Sequence, residues 1–167
     1  MPGSTAARPL GPIQIWLMIV AVLIALMVLV GGATRLTESG LSIVEWKPIT
    51  GILPPLTAEA WQAELQKYLS SPQGRLVNRS FTVPEFQQIY WLEFIHRLWG
   101  RLIGVVFAVP LVWFWIKKRL PSSTKPKLIG ILALGALQGG VGWWMVSSGL
   151  VHRNEVAQER LAIHLLI

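Results

Sequence analysis

The 167-residue chain predicts an all-α integral membrane protein, a helical bundle of three full transmembrane helices and the start of a fourth. Three observations predict it. Apolar residues make up 53% of the chain and charged residues 14%, with a mean hydropathy of +0.52. A soluble domain of this size does not need so much apolar surface. The apolar residues also gather into separate runs of about 20, enough to cross about 30 Å of hydrocarbon as helix. Nine tryptophans suit an interfacial belt, where an amphipathic ring meets both media. The net charge of +7 therefore bears on orientation in the membrane, not on nucleic acid. The absence of cysteine excludes disulfides, thiolate metal sites and a cysteine nucleophile.

Residues 1–12, MPGSTAARPLGP, form a short polar N-terminal arm with one arginine and no amphipathic pattern, a poor transit peptide. The transmembrane bundle occupies residues 13–167. Its first span is 13–33, where Gln14 is the one polar residue. Residues 34–88 form a polar loop. Within it Thr57 is a candidate N-cap for a short helix whose Trp61, Leu65 and Leu69 recur every four residues, an apolar face suited to the membrane surface. Thr82-Val-Pro-Glu85 reads as a capping box with a proline in the first turn. The second long helix thus begins ahead of its span, 89–116, and Pro110 is placed to kink or loosen it. The third span, 128–148, carries Gly135-x-x-x-Gly139, a spacing that lets helices approach closely. A fourth helix starts near Ala157 and runs about three turns to residue 167. A membrane helix stopping at mid-depth leaves its last carbonyls bare in lipid. The chain is therefore expected to be the front part of a longer protein, poorly stable and inactive by itself. Lys117, Lys118, Arg119, Lys125 and Lys127 crowd the loop between spans two and three, whereas the first loop balances five basic residues with five glutamates. Positive-inside logic places that basic loop and the N-terminus in the cytoplasm, and loop 34–88 outside.

Ionisable groups inside a span are costly and default to function. Glu93, His96, Arg97 and Arg101 fall within about two and a half turns of the second helix. Spans two and four run in the same direction, and His96 and His164 each lie about seven residues, roughly 10 Å, inward from their outer ends. Two histidines at matching depth suit axial ligation of one metal centre from opposite sides, as haem iron accepts. Zinc would want three or four ligands, which the chain does not supply. Blander alternatives stand beside each residue. His96 or His164 is a buried imidazole bonded to a carbonyl; His152, in a polar loop, is solvated. Glu93 pairs with Arg97 at i+4, orients His96, or acts as an acid–base group. Arg97 and Arg101 hold haem propionates, pair with Glu93, or snorkel outward. Gly100 and Gly104 admit a flat macrocycle, or simply a close helix. Tryptophans near the span ends read as interface anchors.

The stretches GGATRLTESGLSIVEWKPITGILPPL, EFIHRLWGRLIG and RLAIHLL together resemble the N-terminal half of the haem A synthase family, over nearly the whole chain. The resemblance implies two fused four-helix bundles, eight spans in all, each half with two haem-ligating histidines. It implies oxidation of a methyl group of haem O to a formyl group, giving haem A for terminal oxidases. His96 and His164 are then the pair of the substrate half, and Glu93 matches a glutamate proposed to take part in catalysis. A haem b is expected in the other half. Haem O synthase and an electron donor are expected partners, besides the lipid bilayer and a second copy of the chain. The bacterial inner membrane is the expected location, ahead of the mitochondrial one. Some members carry a cysteine pair in the first outer loop; this chain resembles the cysteine-free branch, which excludes a thiol hand-off. The rival function is a membrane b-type cytochrome that only passes electrons and has no need of Glu93.

Overall fold

A computed structural model describes residues 11–151 and 153–167. The predicted N-terminal arm, except its last two residues, lies outside them, as does His152. The described residues form six helices: α1 Pro12–Leu36, α2 Ala58–Leu69, α3 Pro72–Leu76, α4 Val83–Ile116, α5 Lys125–Gly149 and α6 Gln158–Leu166. α1, α4 and α5 are long and apolar enough to cross a membrane. α1 packs along α4, α4 against α5, and α5 against α6.

The helix ends follow from local chemistry. Gln14, the polar residue of the first span, folds its Oε1 back to accept the Gly11 N–H at 2.8 Å, covering a donor that the first turn leaves bare. The capping box of α4 forms as the sequence predicts: Glu85 Oε2 accepts the Thr82 N–H at 2.7 Å. Thr57 Oγ1 accepts the Ala60 N–H at the start of α2. At the end of α1, Glu38 adopts φ 53°, the left-handed turn that sends Ser39–Ile43 back toward α4. Its carbonyl is held by Gln73 Nε2 at 3.1 Å.

Two tryptophans depart from the expected interface role. Trp16 is buried between Phe107 and Phe114, ring centroids 5.3 and 5.5 Å away. Its Nε1 donates to the Val106 carbonyl at 2.8 Å. The reason is Pro110. A proline has no N–H for the carbonyl four residues back, so Val106 O would stay unsatisfied in an apolar interior. Trp16 supplies the donor from another helix, and α4 runs through Pro110 unbroken. Such interhelical bonds contribute about 0.6 kcal/mol on average in a membrane, up to about 1.7. Trp99 makes a second tie, donating to Leu23 O at 3.0 Å. Trp113 and Trp115, beneath Arg119 and Lys125 at the other end of α4, do fit the interfacial reading.

The face of α2 expected to rest on the membrane packs on the protein. Leu65 and Tyr68 close on Phe86, Tyr90 and Phe94 of α4, and Trp61 meets the Tyr90 ring edge-on at 4.9 Å. At 1.5 Å per residue the 34-residue α4 is about 51 Å long, well over the hydrocarbon thickness, and its N-terminal end is wrapped by α2. Gly74 makes the α2–α3 corner possible: a Cβ there would meet the Tyr68 carbonyl at 2.2 Å. The close approach predicted at Gly135-x-x-x-Gly139 is not made among the described residues, where a Cβ on either glycine meets nothing within 4 Å. That side of α5 is bare.

Candidate functional site

Glu93 is 3% exposed and answers four donors. Oε1 accepts from Arg97 Nη2 at 2.6 Å and Nε at 3.0 Å. Oε2 accepts from Ser42 Oγ at 2.7 Å and from the Ile43 N–H at 2.8 Å. The i+4 pairing with Arg97 is thus the geometry the helix adopts. No hydrogen bond joins Glu93 to His96 among the described residues. Ser42 and Ile43 were not singled out from the sequence. Nothing local marks them: they reach Glu93 from about 50 positions away, carried there by the turn at Glu38.

Arg97 spends its other donors on the same loop, giving Nη2 to Ile43 O at 2.7 Å and Nη1 to Glu45 O at 2.9 Å. Its guanidinium lies 5.7 Å from the centre of the Trp143 ring on α5, and Trp143 stacks in turn on Trp46 of the loop. Arg101 repeats the pattern one turn on, with Nε on Pro48 O and Nη2 on Lys47 O, while Nη1 is buried without a partner. The two arginines therefore bind backbone carbonyls of the loop that follows α1, and Nη1 of Arg101 is left without a partner. Above them Lys47, then Lys67, hold the Glu45 carboxyl below the usual carboxylate range by hydrogen-bonding it, which keeps the loop tied to α2.

His96 comes from α4 and His164 from α6. Each ring has a glycine against it. A Cβ on Gly31 of α1 would sit 3.5 Å from His96 Cε1, and one on Gly142 of α5 would sit 3.0 Å from His164 Cε1. Gln138 of α5 donates to the His164 carbonyl at 2.7 Å, which positions that turn of α6. The hydrogen bonds around the pair belong to Glu93, Arg97 and Gln138. Among the described residues neither imidazole takes part in one, and His164 Nδ1 is buried with no partner. The carbonyl-bonded alternative for His96 is therefore not what the structure forms. Of the predicted glycine stripe, Gly100 faces Met27 of α1 while Gly104 faces open space. No group of three or more His, Cys, Asp or Glu gathers among the described residues. Two half-buried, unbonded imidazoles with no third protein ligand fit a metal that brings its own equatorial donors, as a porphyrin does. Arg101 Nη1 and Gln138 Oε1 are likewise buried without partners, so the fully buried unpaired polar side-chain atoms among the described residues are on His164, Arg101 and Gln138.

The chain is similar to proteins named heme A synthase. That of Rhodopseudomonas palustris strain BisA53 is 59% identical over 167 residues, which is 100% of this chain and 46% of the relative. That of Beijerinckia indica is 58% identical over 162 residues, 97% of this chain and 45% of the relative. That of Bradyrhizobium sp. strain ORS 278 is 57% identical over 158 residues, 95% and 44% respectively. The chain thus spans about half the length of the curated relatives it matches. No solved structure matches it. The model of one family, described as cytochrome oxidase assembly protein, matches residues 14–167. A match over that length places the chain in the COX15-CtaA family of cytochrome oxidase assembly proteins.

Proposed function

We propose that this chain is the substrate-binding half of a haem A synthase, an oxidoreductase that converts haem O to haem A. The observation that carries the reading is the pair of unbonded imidazoles, His96 and His164, held on different helices against Gly31 and Gly142. In this proposal they ligate the iron of the substrate haem O from its two sides, with Arg101 Nη1 free to meet a propionate. The resident haem b belongs to the remainder of the longer protein, and haem O synthase and an electron donor are its partners. When bound, haem supplies the redox chemistry; the chain positions the methyl group and manages protons. Turning a methyl into a formyl group takes two hydroxylations, each R–H + O2 + 2 H+ + 2 e− → R–OH + H2O, and loss of water from the resulting gem-diol; dioxygen is the oxidant, and the electron donor supplies four electrons in all. Glu93 is the proposed proton carrier, reached through Ser42. Of its four donors, the Ser42 hydroxyl alone both gives and accepts a proton readily; an amide N–H and a guanidinium do not.

A second reading has one observation in its favour. Glu93 is already saturated with donors, as a purely structural anchor would be. On that reading the protein is a b-type cytochrome that passes electrons. Extraction and chromatography of the pigments bound to the purified full-length protein separates the two. Haem A or hydroxylated haem O is the expected result, lost in His96→Leu and His164→Leu. Haem b as the sole pigment would establish the electron-transfer reading instead.

We place the N-terminus and the 117–127 loop in the cytoplasm of a bacterial inner membrane, on the strength of the five basic residues there. A cysteine at Ser123 should react with an impermeant maleimide only after cells are broken, whereas one at the exposed Gln62 of α2 should react in intact cells. Labelling of Ser123 from outside would reverse the topology.

A further inference from the structure

Between the site and α2, the loop Pro48–Leu56, sequence PITGILPPL, turns its apolar side chains outward. Ile49 is 82% exposed and Leu56 75%, with Ile52 and Leu53 also exposed. In water this would be an unusually greasy patch for a loop. Its position along α4 explains it. The loop passes Arg101, which binds the carbonyls of Lys47 and Pro48. Its tip, Ile49 and Ile52, then walls a groove of about 530 Å³ whose far side is Gly104, Val105, Ala108 and Val109 of α4. It climbs back through Leu53, Pro54 and Pro55 beside Phe94 and Tyr90.

Depth can be counted up α4 from its cytoplasmic end. About 30 Å of hydrocarbon from Ile116, at 1.5 Å per residue, reaches the level of Arg97, so the boundary falls beside His96 and not at residue 89, where the apolar run begins. Arg101 is one turn below that boundary, and Gly104 and Val105 are about 10 Å below it. Val105 and Val109 are themselves exposed on the outer surface of the span. The exposed tip of the loop is continuous with the exposed apolar side of the span.

We propose that Pro48–Leu56 is a membrane-inserted loop, its tip embedded at the headgroup–acyl boundary of the outer leaflet and the groove behind it filled by a lipid acyl chain. Irregular backbone at this depth is tolerated only when its polar groups find protein partners. The segment leading into the loop meets that condition: Arg97 and Arg101 together take the carbonyls of Ile43, Glu45, Lys47 and Pro48. From Ile49 to Leu56 the Gly51 N–H alone is paired among the described residues, so the backbone of the tip stays in the hydrated headgroup layer and only its apolar side chains reach the acyl region. Pro48, Pro54 and Pro55 have no N–H to satisfy. The Gly51 N–H returns to Lys47 O at 3.1 Å, and a Cβ on Gly51 would meet that carbonyl at 2.6 Å, so the tight turn at the tip needs glycine. Penetration of apolar side chains by about 5–10 Å is what interfacial segments achieve. The two arginines thereby have a role that does not depend on haem: they tie the segment Ile43–Pro48 that leads into the loop to α4.

Residues 1–167 contain no cysteine, and with any cysteine elsewhere in the longer protein replaced by serine, single nitroxide labels report one place each. Labels at Ile49 and Ile52 in the full chain, reconstituted in phosphatidylethanolamine–phosphatidylglycerol vesicles, are compared with Val109 as a lipid reference and Gln62 as an aqueous one. The expected result is preferential collision with oxygen over nickel-EDDA, as at Val109 and unlike Gln62. Preferential collision with nickel-EDDA would put the loop in water and overturn the proposal. Low collision with both would mean that protein covers the loop, whether a second copy or the remainder of the longer protein, and would overturn it equally. Arg101→Met should expel the loop and raise nickel accessibility at Ile49 toward the Gln62 value. An unchanged Ile49 profile in that variant would refute the part assigned to Arg101.

Discussion

Arg97→Met is expected to destabilise the protein by about 3–5 kcal/mol, the range for removing one partner of a buried ion pair. The side chains of Arg97 and Glu93 are 19% and 4% exposed. Methionine leaves the Glu93 charge buried with only Ser42 and Ile43 to answer it, and strips the donors from Ile43 O and Glu45 O at the same stroke. The attraction to the Trp143 ring goes too. The cost should be strongly non-additive. Glu93→Leu combined with Arg97→Met removes both charges, and the double variant should be less destabilised than the sum of the singles, since contacting residues couple. Equilibrium unfolding of the detergent-solubilised protein and its double-mutant cycle measure this. A loss below about 1 kcal/mol for Arg97→Met, typical of a surface pair, would show that the clamp seen here does not hold the loop.

Product formation should fall by about 10²–10⁴-fold in Glu93→Gln if the carboxylate moves protons in the reaction. The site geometry makes this variant harsher than its size suggests. Glutamine must point its NH2 either at Arg97 or at the Ile43 N–H, and both are donors. Some loss of stability is therefore expected alongside, and activity alone would not separate a proton carrier from an anchor. Ser42→Ala does. It leaves Glu93 with three donors and the ion pair intact, but it removes the hydroxyl through which a proton reaches Oε2. The proposed route requires Ser42→Ala to keep its haem and its melting temperature nearly unchanged while haem A formation drops, with haem O or a hydroxymethyl intermediate accumulating. Full activity in Ser42→Ala would remove the relay. Loss of haem in Glu93→Gln as complete as in His96→Leu would make Glu93 a positioning residue only, which is the outcome the electron-transfer reading expects.

Sequence alone carried whatever is encoded within a turn or two of helix. The long apolar runs, the Thr82–Glu85 box, the Thr57 cap and the i+4 spacing of Glu93 and Arg97 are local patterns, and each appears in the structure as read. Matching depths likewise singled out His96 and His164, because counting residues along a helix counts distance. Whatever depends on which distant segment arrives within about 3 Å was decided by the tertiary structure. Trp16 looked like an interface anchor because its ring is the same in either place; the carbonyl that Pro110 leaves bare, 90 positions on, makes it an internal tie. The apolar face of α2 could serve membrane or protein equally, and the N-terminal end of α4 claims it. Gly135 and Gly139 offer close approach but cannot name a partner. Arg97 and Arg101 read as haem or carboxylate binders because a guanidinium's chemistry is known from its type. That they hold the loop after α1 by its carbonyls follows from the turn at Glu38, which brings a segment about 50 residues upstream across their face.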